Sequence, residues 1–150
     1  MNVKFLNSPE KKQIIEKLNE NYGIDKLPHL FLQIGKEKIR AFSGSLTKEE
    51  ISKIARYVNI EIIGIYLAKF EKDGIRLSHN AVTLLADKIT KNILEINDEQ
   101  AHEWMRGNDL PIKMENKYLV VRNKNLLLGC GKSTGERIIN FIPKERRVKG

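Results

Sequence analysis

The stretch Leu126-Leu-Leu-Gly-Cys-Gly-Lys-Ser-Thr-Gly-Glu-Arg137 places a lysine and a hydroxyl directly after a glycine. That is the arrangement with which a phosphate-binding loop holds a nucleotide. Such a loop requires G-x-x-x-x-G-K-[ST] between a strand and a helix, so that open amides and the helix N-terminus surround the phosphates. Gly131-Lys132-Ser133 fits the end of that pattern, but the position of its first glycine holds Leu126. The following TGERIINFIP contains Gly135, β-branched pairs and Pro143, and reads as a strand rather than a helix. The spacing therefore rejects a nucleotide hydrolase. The same residues suit a tight crossover between two strands. Gly129 and Gly131 would allow a bend, Gly135 a second corner, and Lys132 would stand on a loop free to reach a phosphate.

Other chemistry-bearing residues are sparse. Cys130 is the one cysteine in the sequence, which excludes an internal disulfide and a thiolate zinc site. Packed between two glycines, it reads as a small apolar residue. His29, His79 and His102 lie at no metal-ligand spacing, so neither a metal nor a cofactor is expected. Glu49 and Glu50 read as solvated helix positions, not as a paired acid and base.

Charge is more informative. The 150 residues carry a net charge of +8. From Met105 onward 11 Lys and Arg stand against 4 Asp and Glu, a net of +7 for the last third. A block of this kind points to a polyanion, because binding phosphates releases condensed counterions. Arg40, Lys69 and Lys72 could extend a basic surface. No apolar run reaches the ~20 residues of a membrane span, and the first residues lack a secretory core. The expectation is no membrane partner and a cytoplasmic location.

These groups must be positioned by short elements. Ser8 and Pro9 open a helix carrying Ile14, Ile15 and Leu18, which Gly23 ends. LPHLFLQIG and KIRAFSG form a hairpin, and Thr47 with Glu50 caps a second helix bearing Ile51, Ile54, Ala55 and Val58. IEIIGIYLAKF is a central strand closed by Asp73-Gly74. Next come a helix capped by Ser78, the strand NILEI, and a helix from Asn97 or Asp98 to Gly107. Four strands are expected in KYLVVRN, NLLLGCG, ERIINFI and RRVKG, a pattern favouring a small barrel with Trp104 as its core anchor. The fold class is α+β.

EINDEQAHEWMRGNDL and YLVVRNKNLLLGCGKSTGERIINFIPKERRV together resemble a PUA domain, the RNA-binding module of pseudouridine synthases and archaeosine transglycosylases. The closer resemblance is to the PUA-type region following the catalytic domain of some Sun-family RNA cytosine-5 methyltransferases, which also occurs in stand-alone archaeal proteins. It covers about residues 75–150. Residues 1–74 resemble the α/β pre-PUA domain, also reminiscent of Nip-type ribosome-biogenesis proteins. The resemblance implies a pre-PUA domain followed by a PUA pseudo-barrel. It further implies binding of structured rRNA or tRNA without catalysis, as an accessory in ribosome biogenesis or RNA modification. The family's RNA contacts would fall on Arg106, Gly107, Asn108 and Asp109, and on Lys132, Arg137, Lys144, Arg146 and Arg147. Methyl transfer in that family needs two cysteines and a large S-adenosylmethionine domain, which these residues do not supply. The alternative reading is a protein–protein adaptor docking an RNA methyltransferase or a ribosomal protein.

Overall fold

The computed structural model describes residues 3–44, 46–57 and 64–149. Two antiparallel-dominated sheets organise the chain. The first contains β1 (Val3–Phe5), β2 (Leu30–Ile34), β3 (Lys38–Phe42), β4 (Ile65–Glu71) and β5 (Gly74–Leu77), in that spatial order. The second contains β6 (Ile93–Glu95), β7 (Lys117–Asn123), β8 (Leu126–Ser133) and β9 (Ile138–Asn140), also in sequence order. Among the described strands only β6 and β7 run parallel, and the chain between them makes a crossover through α4 (Asp98–Met105). A bridge between Leu110 and Ile138 extends the second sheet around the α4 side, giving the expected pseudo-barrel form.

Local chemistry sets the helix ends. α1 (Ser8–Tyr22) is capped by Asn7, whose side chain and Glu10 bond each other's backbone amides reciprocally. Ser8, the expected cap, is instead the first helical residue. The left-handed Gly23 ends this helix as expected. Thr47 and Glu50 form the capping box of α2 (Lys48–Ile54), and Ser78 caps α3 (His79–Leu84). Asn97 and Gln100 form another capping box at α4. Val58 of the expected α2 stripe, and residues 60–63 of the expected central strand, lie outside the described residues.

Apolar residues form three packed groups. Ile51 of α2 meets Leu32 on one face of the first sheet. The opposite face joins α1, α3 and the second sheet in a continuous core that includes Leu18, Tyr22, Leu67, Val82, Val120 and Cys130. β5, which begins at the expected division between residues 74 and 75, is hydrogen-bonded to β4 in the first sheet. Trp104, fully buried, centres the third group with Leu119, Val121 and Ile138, and its indole N–H donates to the Leu128 carbonyl at 2.9 Å. That is the core-anchor role read from the sequence.

The described part of RRVKG, residues 146–149, is not a strand. Residues Lys144–Arg146 form a 3-10 turn after Pro143, closed by the Arg146 N–H donating to the Pro143 carbonyl at 2.8 Å. Val148 N–H then donates to the Met105 carbonyl at 2.8 Å, tying the chain end to the last turn of α4. The preceding strand is also shorter than expected. After Asn140 its own side-chain oxygen takes the Ile142 amide at 2.7 Å, in place of a neighbouring strand.

Candidate nucleic-acid interface

Arg106 caps the C-terminal end of α4, and the chain turns at Gly107 with φ +95°. This left-handed turn is more than a bend. A Cβ at Gly107 would lie 2.4 Å from Cδ of Arg147, so the missing side chain lets the Arg147 stem cross directly over the loop. Arg147 is held there by donating from Nε to the Ile142 carbonyl at 3.1 Å.

Asn140 organises the loop from beneath. This residue is buried, and its side-chain amide donates to the carbonyls of Trp104 at 2.7 Å and Asn108 at 3.0 Å. Its backbone amide donates to the Asp109 carboxylate at 2.9 Å. Each polar atom around it is thereby satisfied in a place where an unpaired one would cost about 1–3 kcal/mol. Asn140 was not singled out from the sequence. Its signal was the inward position of a polar residue in the alternation of Ile138, Ile139 and Asn140.

Six of the nine sequence-derived residues meet at one end of the barrel, around this loop, with Arg137 and Arg147 among them. Arg137 lies 3.4 Å from Asp109, and Arg106 lies 3.6 Å from Glu103. Both pairs are exposed, with arginine side chains 60% and 48% accessible. Such pairs contribute about 0–1 kcal/mol and exchange readily for another anion. The cluster holds Arg106, Gly107, Asn108, Asp109, Arg137 and Arg147. Lys144 and Arg146 stand exposed on the adjoining turn, where Arg146 points away to donate to Asn80 at 3.3 Å.

Lys132 departs from the expected placement. It is not on a loop: β8 runs from Leu126 to Ser133, and Lys132 pairs across it with Tyr118 and Ile139. Its ammonium forms an ion pair with Asp73 in the β4–β5 turn and sits 5.4 Å above the Tyr118 ring. The Tyr118 hydroxyl donates to the same carboxylate at 2.8 Å. Lys132 first, and Tyr118 second, hold the Asp73 carboxyl below its ordinary range. The lysine is therefore engaged in joining the two sheets.

The glycines around it have separate tasks. Gly129, at φ +117°, sits where the β7–β8 register shifts, so the expected bend is a bulge inside a strand. Gly131 lies under Trp104, where a Cβ would approach the indole Cη2 to 2.7 Å. Gly135, at φ +93°, makes the expected corner before β9. Between the first two, Cys130 is buried against Tyr22, and burial pushes its thiol up to about 11. A thiol in that state is a poor nucleophile.

Comparison with known proteins agrees with this architecture. Residues 91–148 match the family model described as the methyltransferase RsmF PUA domain. Ribosomal RNA small subunit methyltransferase F of Shewanella oneidensis is 30% identical over 142 residues, 92% of this chain and 28% of the enzyme. The same enzyme of Aliivibrio fischeri is 38% identical over 84 residues, 55% of this chain and 18% of the enzyme. The chain thus spans well under a third of the length of these relatives. Among solved structures, a hypothetical protein of the archaeon Pyrococcus horikoshii shares the fold, with a TM-score of 0.56 and 15% identity over 93% of both chains. The segment from Lys91 to Val148, with its barrel around Trp104, is a PUA-type domain similar to that of the RsmF methyltransferases.

Proposed function

We propose that this chain binds structured RNA, either rRNA or tRNA, through the barrel end around Gly107, and takes no catalytic part itself. The observation that carries the reading is the exposed group of Arg106, Arg137 and Arg147 on an Asn140-braced loop inside the PUA-matching segment. A rigid loop with arginines at its rim suits paired hydrogen bonds to phosphates, and folded RNA is read largely by shape, backbone and unpaired bases. The resemblance to rRNA methyltransferases supports RNA as the polyanion, in the setting of RNA modification or ribosome biogenesis. The buried Cys130, with its raised thiol pKa, supports a role outside the methyl-transfer step. An RNA methyltransferase or a ribosomal protein is the partner this role would serve.

The test is a titration against folded small-subunit rRNA fragments and tRNA, with duplex DNA as control, at several salt concentrations. Preference for folded RNA is expected, with a log–log salt slope of about −0.7 to −0.9 per neutralised phosphate. Equal and weak binding to every nucleic acid would overturn the reading.

A further inference from the structure

A second feature lies where the first sheet meets the barrel, away from the Gly107 loop. Ile39 pairs with Ala68 but Arg40 pairs with Tyr66, so β4 carries a bulge at Leu67. Leu67 and Ala68 are consequently both buried although adjacent, and Tyr66 is carried onto the opposite, outer face. Lys38 approaches the Tyr66 ring to 5.7 Å there, and Lys69 and Arg76 are cross-strand partners on the same face. At the sheet junction the Arg76 guanidinium lies 4.3 Å from the Phe141 ring centre. Phe141 in turn stacks on Tyr118 at 6.4 Å and 27°, and Tyr118 carries Lys132. Cations and rings therefore alternate across both sheets.

Beside this layer opens a groove of ≈ 330 Å³ lined by Tyr66, Arg76, His79, Asn80, Phe141 and Arg146. The carboxylates near it are Glu71, 3.5 Å from Arg76, and Glu145 at its rim. Its size is at the lower end of small-ligand clefts, which run roughly 300–1,000 Å³, and far too small for a duplex. Flat rings and a guanidinium plane supply faces for a base, while Asn80 and His79 supply polar atoms at its edge. Arg146 supplies charge for a phosphate, and its turn, Lys144–Arg146, leads directly to Arg147 at the barrel end.

We infer that this groove holds one unpaired nucleotide of an RNA strand, its base against the Arg76–Phe141 layer and its phosphate at Arg146. The inference rests on the RNA-binding reading above and adds that the strand passes from the barrel end to the first sheet. Paired RNA has no free base face to offer the groove, so single-stranded and paired RNA separate the two surfaces.

The experiment measures affinity for a single-stranded oligouridylate and for a fully paired RNA duplex, using the full chain and its variants. Arg76→Lys keeps the charge but loses the plane. It should weaken the single strand about ten-fold, the loss of one base stack, and leave duplex affinity within two-fold. Phe141→Leu should do the same, and Arg76→Lys, which keeps the charge and the aliphatic stem of a half-buried side chain, keeps the result readable if Phe141→Leu unfolds. Unchanged single-strand affinity in Arg76→Lys, with duplex binding intact, overturns the groove and leaves the barrel-end reading standing. Failure of the unmodified chain to bind either RNA removes that reading and the groove with it. Uridine monophosphate binding as tightly as the strand would make the occupant a free nucleotide and overturn the RNA assignment.

Discussion

The hydroxyl of Tyr118, on β7 of the second sheet, donates a 2.8 Å hydrogen bond to Asp73 in the turn of the first. Lys132 completes the contact from β8. Three residues read separately in the sequence thus make one polar clamp between sheets, beside a shared apolar core. The lysine of the Gly-Lys-Ser triplet has a structural partner already, which accounts for its presence without a nucleotide.

Neither the parent protein nor a Lys132→Met variant should therefore bind ATP in a titration. The expected cost in stability is about 1 kcal/mol or less, as for a partly exposed pair. The Asp73 carboxyl, held low chiefly by Lys132, contributes stability above its ordinary value near 3.8, and this is lost as pH falls through the lowered value. Lys132→Met should flatten that acid limb in a denaturation series. An acid limb identical to the parent's would remove the clamp.

Gly131→Ala should destabilise by about 1–3 kcal/mol, because the added methyl meets a fully buried indole at 2.7 Å and the Ile139 carbonyl at 2.9 Å. Urea unfolding should show a lower midpoint at unchanged m-value. A neutral effect would mean that Trp104 can move aside.

Asn140→Ala removes the amide that serves Trp104 and Asn108 and the oxygen that serves Ile142. The loss should be about 2–3 kcal/mol, given the usual cost of unsatisfied buried groups. RNA affinity should fall as well, since the 106–109 loop loses its brace. Full affinity in a destabilised variant would detach the loop from RNA binding.

Arg137→Ala should weaken folded-RNA binding and make the salt slope shallower by about one phosphate, with thermal stability nearly unchanged. Arg147→Ala is expected to differ, since Arg147 also covers Gly107 and satisfies the Ile142 carbonyl. A double Arg146→Ala, Arg147→Ala variant would mix binding loss with loosening of the chain end. Stability measured beside affinity separates them.

His29 and His79 should make the protein acid-sensitive above the carboxylate range. Burial first, then Lys11 at His29 and Arg146 at His79, lowers both below the ordinary 6.5. Each Nδ1 is buried with no hydrogen-bond partner among the described residues. The unfolded chain takes up protons near pH 6.5 that the folded chain refuses until lower pH. Stability is thus complete above about 6.5 and declines as pH falls toward the lowered values. The melting temperature should drop between about pH 7 and 5, less steeply in His79→Leu. A flat profile would contradict the burial of the two Nδ1 atoms.

The sequence determined what depends on neighbours along the chain. Cap residues at Thr47, Ser78 and Asn97, the β2–β3 hairpin, the glycine corner at Gly135 and the charge-rich last third all follow from spacing, side-chain length and composition. Trp104 as a core anchor was legible because a lone large ring amid short apolar strands has few other places to go. The Ser8 cap and the RRVKG strand failed for local reasons of a finer kind: Asn7 competes better with its neighbour's backbone, and Pro143 starts a turn. Tertiary structure decided the rest. Tyr118 meets Asp73 across 45 residues, and Asn140 reaches Asn108 across 32. Whether a lysine is a phosphate ligand or a clamp, and whether Tyr66 faces core or groove, depends on register and on which sheets meet. Those choices minimise the free energy of the whole packed chain, and no short window of sequence contains them.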